Sequence, residues 1–372
     1  MSGWPDTRLT ELFAIAHPIL QAPMAGASTP EMAIAVGKAG GMGSLACAML
    51  GVDETRATLR KLAEAGAGSL NVNFFCHARP RPEATALSGW VDRLREYYDE
   101  LGLSPDEVQP GVERAPFDEA YCEVVEELRP KVVSFHFGLP EQKLLDRLRK
   151  VACTIIASAT TVAEARWLEH RGCDAVIAMG VEAGGHRGSF LTRDMSRQVG
   201  TMALVPQVVD AVKVPVIAAG GIADARGIVA AFALGASAVQ LGTAYLHTPE
   251  AKISAFHRHA LTAAADDSTA VTNVFTGRPA RGFVNRLVEE VGPLSDVVPP
   301  FPLASAALAP LRAAAEARGE SHFTNLWAGQ AAGLGRAEPA QALTERLARE
   351  ALAHFSSLAM SQKTPNSSGA QS

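Results

Sequence analysis

The sequence predicts an α/β fold of the (β/α)8 TIM-barrel class, with an inserted lid segment and a smaller C-terminal helical region. Two observations lead there: eight short apolar runs of strand length recur before residue 245, and helix-length segments separate them. A third points the same way. The last runs end in glycine-rich turns, at the end of such barrels where ligands bind.

The apolar runs are residues 18–24, 41–46, 69–75, 131–137, 153–158, 175–180, 215–220 and 238–243. They are almost continuously apolar, as parallel strands covered on both faces must be. Helical patterns lie between them at 29–39, 53–65, 119–128, 142–150, 162–170, 202–212 and 225–234. An open doubly wound sheet is the alternative. It calls for a Gly-x-Gly-x-x-Gly turn after the first strand, and Gln21-Ala22-Pro23-Met24-Ala25-Gly26 does not supply one.

Two stretches fall outside the repeat. Residues 77–117 open with the proline-rich His77-Ala78-Arg79-Pro80-Arg81-Pro82 and continue into a helical run at 90–101. That is too long for an ordinary connection, and it reads as a lid or cofactor cover. The segment 248–358 is Ala-rich and reads as helical. The expected organisation is therefore a barrel over 1–245, a C-terminal helical region over 246–360 and a disordered tail over 361–372.

Composition narrows the function classes. A net charge of -5 argues against a non-specific nucleic-acid surface. No stretch reaches the roughly 20 apolar residues of a membrane span, and the N-terminus lacks a signal-peptide core. A cytoplasmic protein is expected. The five cysteines, Cys47, Cys76, Cys122, Cys153 and Cys173, are scattered and form no Cys-x-x-Cys pair. They read as reduced, packed thiols, and no metal site is expected.

The run at 215–220 leads into Gly220-Gly221-Ile222-Ala223-Asp224, and the run at 238–243 ends in Gln240-Leu241-Gly242-Thr243. Glycine lets backbone N–H groups approach a phosphate, and a following helix adds its positive end. Asp224 is placed to cap the helix that begins near residue 225. Two tight turns with no ligand are the plain alternative. Ala22 and Met24, at the first strand end, offer backbone groups and a flexible apolar wall. Asn73, at the end of the third run, offers an amide that can donate and accept, or it caps a loop.

The densest signal is Met179-Gly180-Val181-Glu182-Ala183-Gly184-Gly185-His186-Arg187-Gly188. The chain must turn sharply there, with His186 projecting, and an imidazole suits proton abstraction from a weakly acidic C–H. His136 alternates with Phe135 and Phe137, so it faces away from both. It is a candidate substrate contact or a hydrogen-bonded core histidine. Arg187 could favour an anionic substrate, or be a plain exposed arginine. Glu182 could hold a loop or orient a ring and is not assigned as a base. His257 and His259 read as surface residues.

These motifs resemble the nitronate monooxygenase family, formerly called 2-nitropropane dioxygenase. The resemblance rests on 21–26, on Asn73 in Val72-Asn73-Phe74-Phe75, on 134–138, 182–188, 220–224 and 240–243, and on Leu326-Trp327-Ala328-Gly329-Gln330. It spans about residues 18–330. It implies FMN held non-covalently in a TIM barrel, and oxidation of alkyl nitronates, notably propionate 3-nitronate, by dioxygen, a reaction that detoxifies nitroalkanes. Family contacts to FMN fall on Met24, Asn73, Gly184, Gly221 and Gln240, Leu241, Gly242 and Thr243. Ala22, Met179, Gly185 and Gly220 join them as cofactor-lining candidates, and the family's base falls on His186. One departure is Met179, where relatives often carry a glutamine that touches the flavin.

Three rivals stand beside this reading. An FMN-dependent NAD(P)H enoyl-acyl-carrier-protein reductase shares the histidine loop, as does an NADH:quinone reductase. A non-redox phosphate-binding barrel would share only the glycine turns. The C-terminal helices could form a homodimer face or simply cover the barrel.

Overall fold

The structure of the protein, a computed structural model, describes residues 3–79, 84–105 and 115–361. Parts of the lid segment, and the tail after residue 361, lie outside the described residues. Among those described there are eleven strands: β1 Ile19–Gln21, β2 Gly43–Ala46, β3 Leu70–Phe75, β4 Val132–His136, β5 Thr154–Ala159, β6 Ala175–Met179, β7 Gly185–His186, β8 Val216–Ala219, β9 Ala238–Leu241, β10 Thr269–Thr272 and β11 Ala280–Phe283.

Eight of them pair in parallel in the order β1-β9-β8-β6-β5-β4-β3-β2. A parallel bridge from Leu20 to Met42 brings the first and last together and closes the barrel. Each predicted apolar run contains one of these strands. Inward side chains at one end, including Leu20, Met42, Val132, Ile156 and Ile217, pack on Leu9 and Phe13 of the helix Arg8–Phe13, which plugs the bottom. Outward side chains form a shell against the surrounding helices.

Local chemistry starts several of those helices where the sequence places them. Thr29 Oγ1 accepts from Met32 N, with Pro30 at the first helical position. Asp224 Oδ1 accepts from the backbone N–H groups of Arg226 and Gly227 at the helix Ala225–Ala233. A side-chain oxygen there satisfies donors that the first turn leaves without partners.

The C-terminal segment differs from its expected all-helical form in two ways. Its final helix, Ala340–Ser361, packs between the helices Pro30–Lys38 and Ala225–Ala233. It buries Leu343, Leu347, Ala348 and Ala351 in the barrel's own shell, so it acts as the eighth barrel helix, displaced far along the chain. The intervening stretch also carries β10 and β11, antiparallel, and β11 takes β7 of the histidine loop as its other neighbour. β10 and β11 are short and interrupted by glycine and polar residues, so no clean alternation marks them in a region dominated by alanine.

The two segments outside the repeat share one core. Trp90, Leu94, Tyr97 and Tyr98 of the helix Ala84–Leu101 pack with Leu308, Leu311 and Ala315 of the helix Ala304–Ala317, and with Phe275 and Leu287. Trp90 Nε1 donates to Ala304 O at 3.1 Å. That satisfies the one polar atom of a fully buried indole.

Candidate active site

Alternation along parallel strands puts every second residue inside the barrel. At the carboxyl ends this sets Asn73 and Phe75 on β3, Ser134 and His136 on β4, Ile177 and Met179 on β6, and Gln240 on β9 around one cavity of about 450 Å³. That is the size of a small-molecule or cofactor site. Ala22, Met24, Gly184, Gly185, His186, Gly220, Gly221, Gly242 and Thr243 line the same cavity. The sequence motifs, drawn from six different strand ends, thus converge on one rim.

The glycine turns are shaped as cradles. Gly220 and Gly221 take φ values of 108° and 70°, a region that side-chain-bearing residues rarely enter. A Cβ on Gly184 would lie 2.6 Å from the backbone of Ala328 and Gly329, so only glycine fits there. Thr243 Oγ1 accepts from Gly329 N at 2.9 Å and keeps its own proton to donate. Gln240 Oε1 is buried with no hydrogen-bond partner among the described residues. A buried carbonyl oxygen facing a cavity calls for a ligand donor. Asn73 Nδ2 donates to Ser134 O and Ser134 Oγ at 3.2 and 2.9 Å, which fixes the amide and leaves its oxygen as the remaining acceptor. These features fit a phosphate-bearing cofactor with a polar ring edge.

His186 is built into an edge strand. It pairs with Ala280 of β11 while Arg187 N donates to Pro279 O at 2.8 Å. Its ring Nε2 lies 2.9 Å from Thr276 Oγ1. Phe301 and Trp327 wall the imidazole, with ring centroids at 5.3 and 5.5 Å. Phe75 and Phe137 stand slightly farther off. An imidazole held by a hydroxyl inside an aromatic wall is the arrangement of a positioned base. Replacing Thr276 by Val should remove the ring's partner at equal volume and lower turnover of a substrate that needs a base about tenfold. Thr276→Ser should retain it, as steady-state rates of the two variants would report.

His136 lines the cavity, but both its ring nitrogens are engaged within the protein. Nδ1 lies 2.6 Å from Ser158 Oγ, and Nε2 lies 3.1 Å from the carbonyl oxygen of His186. A carbonyl can only accept, so Nε2 carries the proton and Nδ1 accepts from the serine. Burial pushes His136 down to about 3, so it stays neutral. Its ring therefore supports the His186 backbone, where the sequence offered a substrate contact or a core histidine. The expected alternation holds for Phe135, which packs outward. It breaks at Phe137, whose φ of 73° turns the ring back toward His136, 4.4 Å away centroid to centroid.

Three sequence expectations are corrected. Arg187 is neither an exposed arginine nor a cavity residue: it is fully buried. Its guanidinium donates to Met179 O, Gly180 O and Gln198 Oε1. As the neighbour of an inward residue in extended chain, it has to point the other way. Burial pushes it down to about 10, which still leaves it charged near neutrality. Leu241 is likewise outward, packed in the shell behind the cavity, because Gln240 takes the inward position. His257 is buried rather than on the surface. It lines the cavity, and its Nε2 lies 3.1 Å from Trp327 O. His259 is exposed, as expected.

Thr276, Ser158 and Phe301 are site residues that sequence reading does not single out. They lie 90, 28 and 115 positions from His186 and belong to no glycine-rich motif, so only the fold brings them together. Trp327, by contrast, stands inside a motif already noted. No helix among the described residues is long and apolar enough to cross a membrane.

Comparison with known proteins bears on this site. The family model described as nitronate monooxygenase matches residues 6–350. A nitronate monooxygenase of Pseudomonas aeruginosa is 40% identical over 345 residues, covering 92% of this chain and 98% of the relative. Among solved structures, a nitroalkane oxidase from Streptomyces ansochromogenes aligns with a TM-score of 0.83 and 39% identity, covering 94% of this chain and 99% of the other. FabK from Thermotoga maritima aligns with a TM-score of 0.72 and 29% identity, over 95% and 98% of the two chains.

Proposed function

Because the chain belongs to the nitronate monooxygenase family, we propose that it binds FMN and oxidises alkyl nitronates such as propionate 3-nitronate. Dioxygen is the electron acceptor, and the products are a carbonyl compound and nitrite. The observation that carries this reading is convergence: the His186 ring and the turns at Gly220–Gly221 and Gly242–Thr243 face one cavity.

FMN, when bound, supplies the electron acceptor for the substrate carbon and returns the electrons to dioxygen. The remaining roles fall to the chain. The two glycine turns and the Thr243 hydroxyl hold the phosphate. Gln240 Oε1 and the Asn73 amide meet the polar edge of the ring, and Met24 and Met179 contribute apolar wall. The thioether of Met179 offers no N–H donor, so the hydrogen bond a glutamine would make there is absent. His186 takes the α-proton of a neutral nitroalkane. A nitronate arrives already deprotonated and needs only to be held. Phe75, Phe301 and Trp327 exclude water around that proton transfer.

The test uses the full-length protein. The purified chain should carry a flavin absorbance spectrum, release FMN on denaturation and liberate nitrite from propionate 3-nitronate in air. A colourless preparation that takes up no added FMN would overturn the cofactor assignment. Rapid bleaching of the flavin by NADH without air, together with no nitrite release, would transfer the chain to the nicotinamide-dependent reductases.

A further inference from the structure

Glu182 lines the cavity, yet its carboxylate is turned away from the histidine it precedes. It accepts from Thr201 N, at 2.9 Å to each oxygen, and from Thr201 Oγ1 at 2.8 Å. Thr201 opens the helix Thr201–Ala211, whose preceding residue, Gly200, has no side chain to cap it. Glu182 supplies that missing cap from 19 positions away, and an anion at a helix N-terminus is favourable. Thr201 Oγ1 also lies 2.9 Å from Gly220 O, so its one proton is shared between the Glu182 carboxylate and the backbone of the proposed phosphate turn. The backbone oxygen of Glu182 accepts from Gln330 N at 3.0 Å.

The surrounding glycines make room for this pair. A Cβ on Gly180 would overlap Thr201 Oγ1 and the Glu182 carboxylate. On Gly220 it would stand 3.0 Å from Thr201 Oγ1, on Gly200 3.1 Å from Glu182 Oε1, on Gly221 3.4 Å from Glu182 Cβ, and on Gly329 2.7 Å from Glu182 O. Glycines from four separate segments therefore leave space for the same two residues. Packing of this kind is specific, since interiors tolerate little extra volume.

We infer that Glu182 and Thr201 form a positioning pair that sets cofactor affinity by locking the Gly220–Gly221 turn to the histidine loop. The inference rests on the reading that FMN occupies this cavity. The pair touches the turn from behind, so it acts through the turn rather than on the reacting atoms. A carboxylate beside a phosphate site is otherwise unfavourable. Its engagement by three N–H and O–H contacts is what makes it tolerable there.

The experiment measures FMN dissociation from the full-length protein, by recovery of flavin fluorescence on dilution, alongside thermal unfolding. Thr201→Val, which removes one charge-assisted hydrogen bond, should weaken FMN binding about 10- to 100-fold, and Glu182→Ala, which removes every contact of the carboxylate, by at least as much. Thr201→Ser should restore wild-type affinity, which a purely steric role for Thr201 would not. The double variant should be no weaker than about threefold beyond the worse single, because the two residues act as one unit. Glu182→Gln, which keeps the shape and one acceptor oxygen, should lie between wild type and alanine and guards against a variant that fails to fold. Wild-type affinity in Thr201→Val and Glu182→Gln, or fully multiplicative losses in the double, would overturn the inference. A wild-type chain that binds no FMN would instead overturn the cofactor reading beneath it.

Discussion

His186→Asn should lower turnover of neutral nitroalkanes by about 10²- to 10⁴-fold while pre-formed nitronates remain substrates within about tenfold, the share a positioned general base contributes. Asparagine keeps a polar atom near Thr276 Oγ1, which lies 2.9 Å from the native ring. It also leaves the β7–β11 pairing to the backbone. What it removes is the imidazole, the group able to take the proton. The other cavity histidines do not replace it. His136 is neutral, held down to about 3, with both nitrogens bonded. His257 is held below its usual range by burial and bonded to Trp327 O. Steady-state rates with one nitroalkane supplied in both protonation states decide the matter. Equal losses on both forms would make His186 a binding or structural group, and unchanged rates on both would remove it from the mechanism.

Period two and glycine chemistry account for what is legible in the sequence. The eight barrel strands stand out because both faces of a parallel strand are covered, which leaves runs such as 175–180 without a polar break. The site is legible where it is made of backbone: the left-handed turn at Gly220 and Gly221 needs glycine, and glycine is visible. Leu241 and Arg187 were open to the same logic. Each follows an inward residue, Gln240 and His186, so each must face outward. The motif is a contiguous string, but its side chains alternate. The final helix is illegible as the eighth barrel helix because about a hundred residues separate it from β9, and nothing in an amphipathic pattern says which groove it fills. Phe301 reaches His186 from a small cluster with Ala48, Phe75 and Phe137, and Thr276 reaches it from the stretch between β10 and β11. Neither contact has a local signature.

Arg187→Met should destabilise the protein by about 1–3 kcal/mol and leave the KM for nitronate unchanged in whatever fraction remains folded. The substitution keeps an apolar stem of similar reach and removes every donor. Met179 O and Gln198 Oε1 then lose the guanidinium, at a buried and a half-buried residue, while Gly180 O keeps the Ala183 N–H at 3.2 Å. A stranded buried acceptor costs about 1–3 kcal/mol, so the carbonyl of Met179 sets the scale, offset in part because a cation is no longer buried. That regained part is limited: burial pushes the guanidinium down to about 10, which still leaves it charged near neutrality. Lysine would not rescue the position, since a single ammonium cannot span two carbonyls and a side-chain amide in one plane. Urea unfolding of the purified variant gives the measurement: a lower midpoint at unchanged slope marks lost stability. Had Arg187 bound the substrate, the midpoint would hold and KM would rise. The same guanidinium fixes the carbonyls that end β6, immediately before the loop that carries His186. Its loss should therefore loosen the base from behind, and the remaining turnover of neutral nitroalkanes should fall further than that of nitronates.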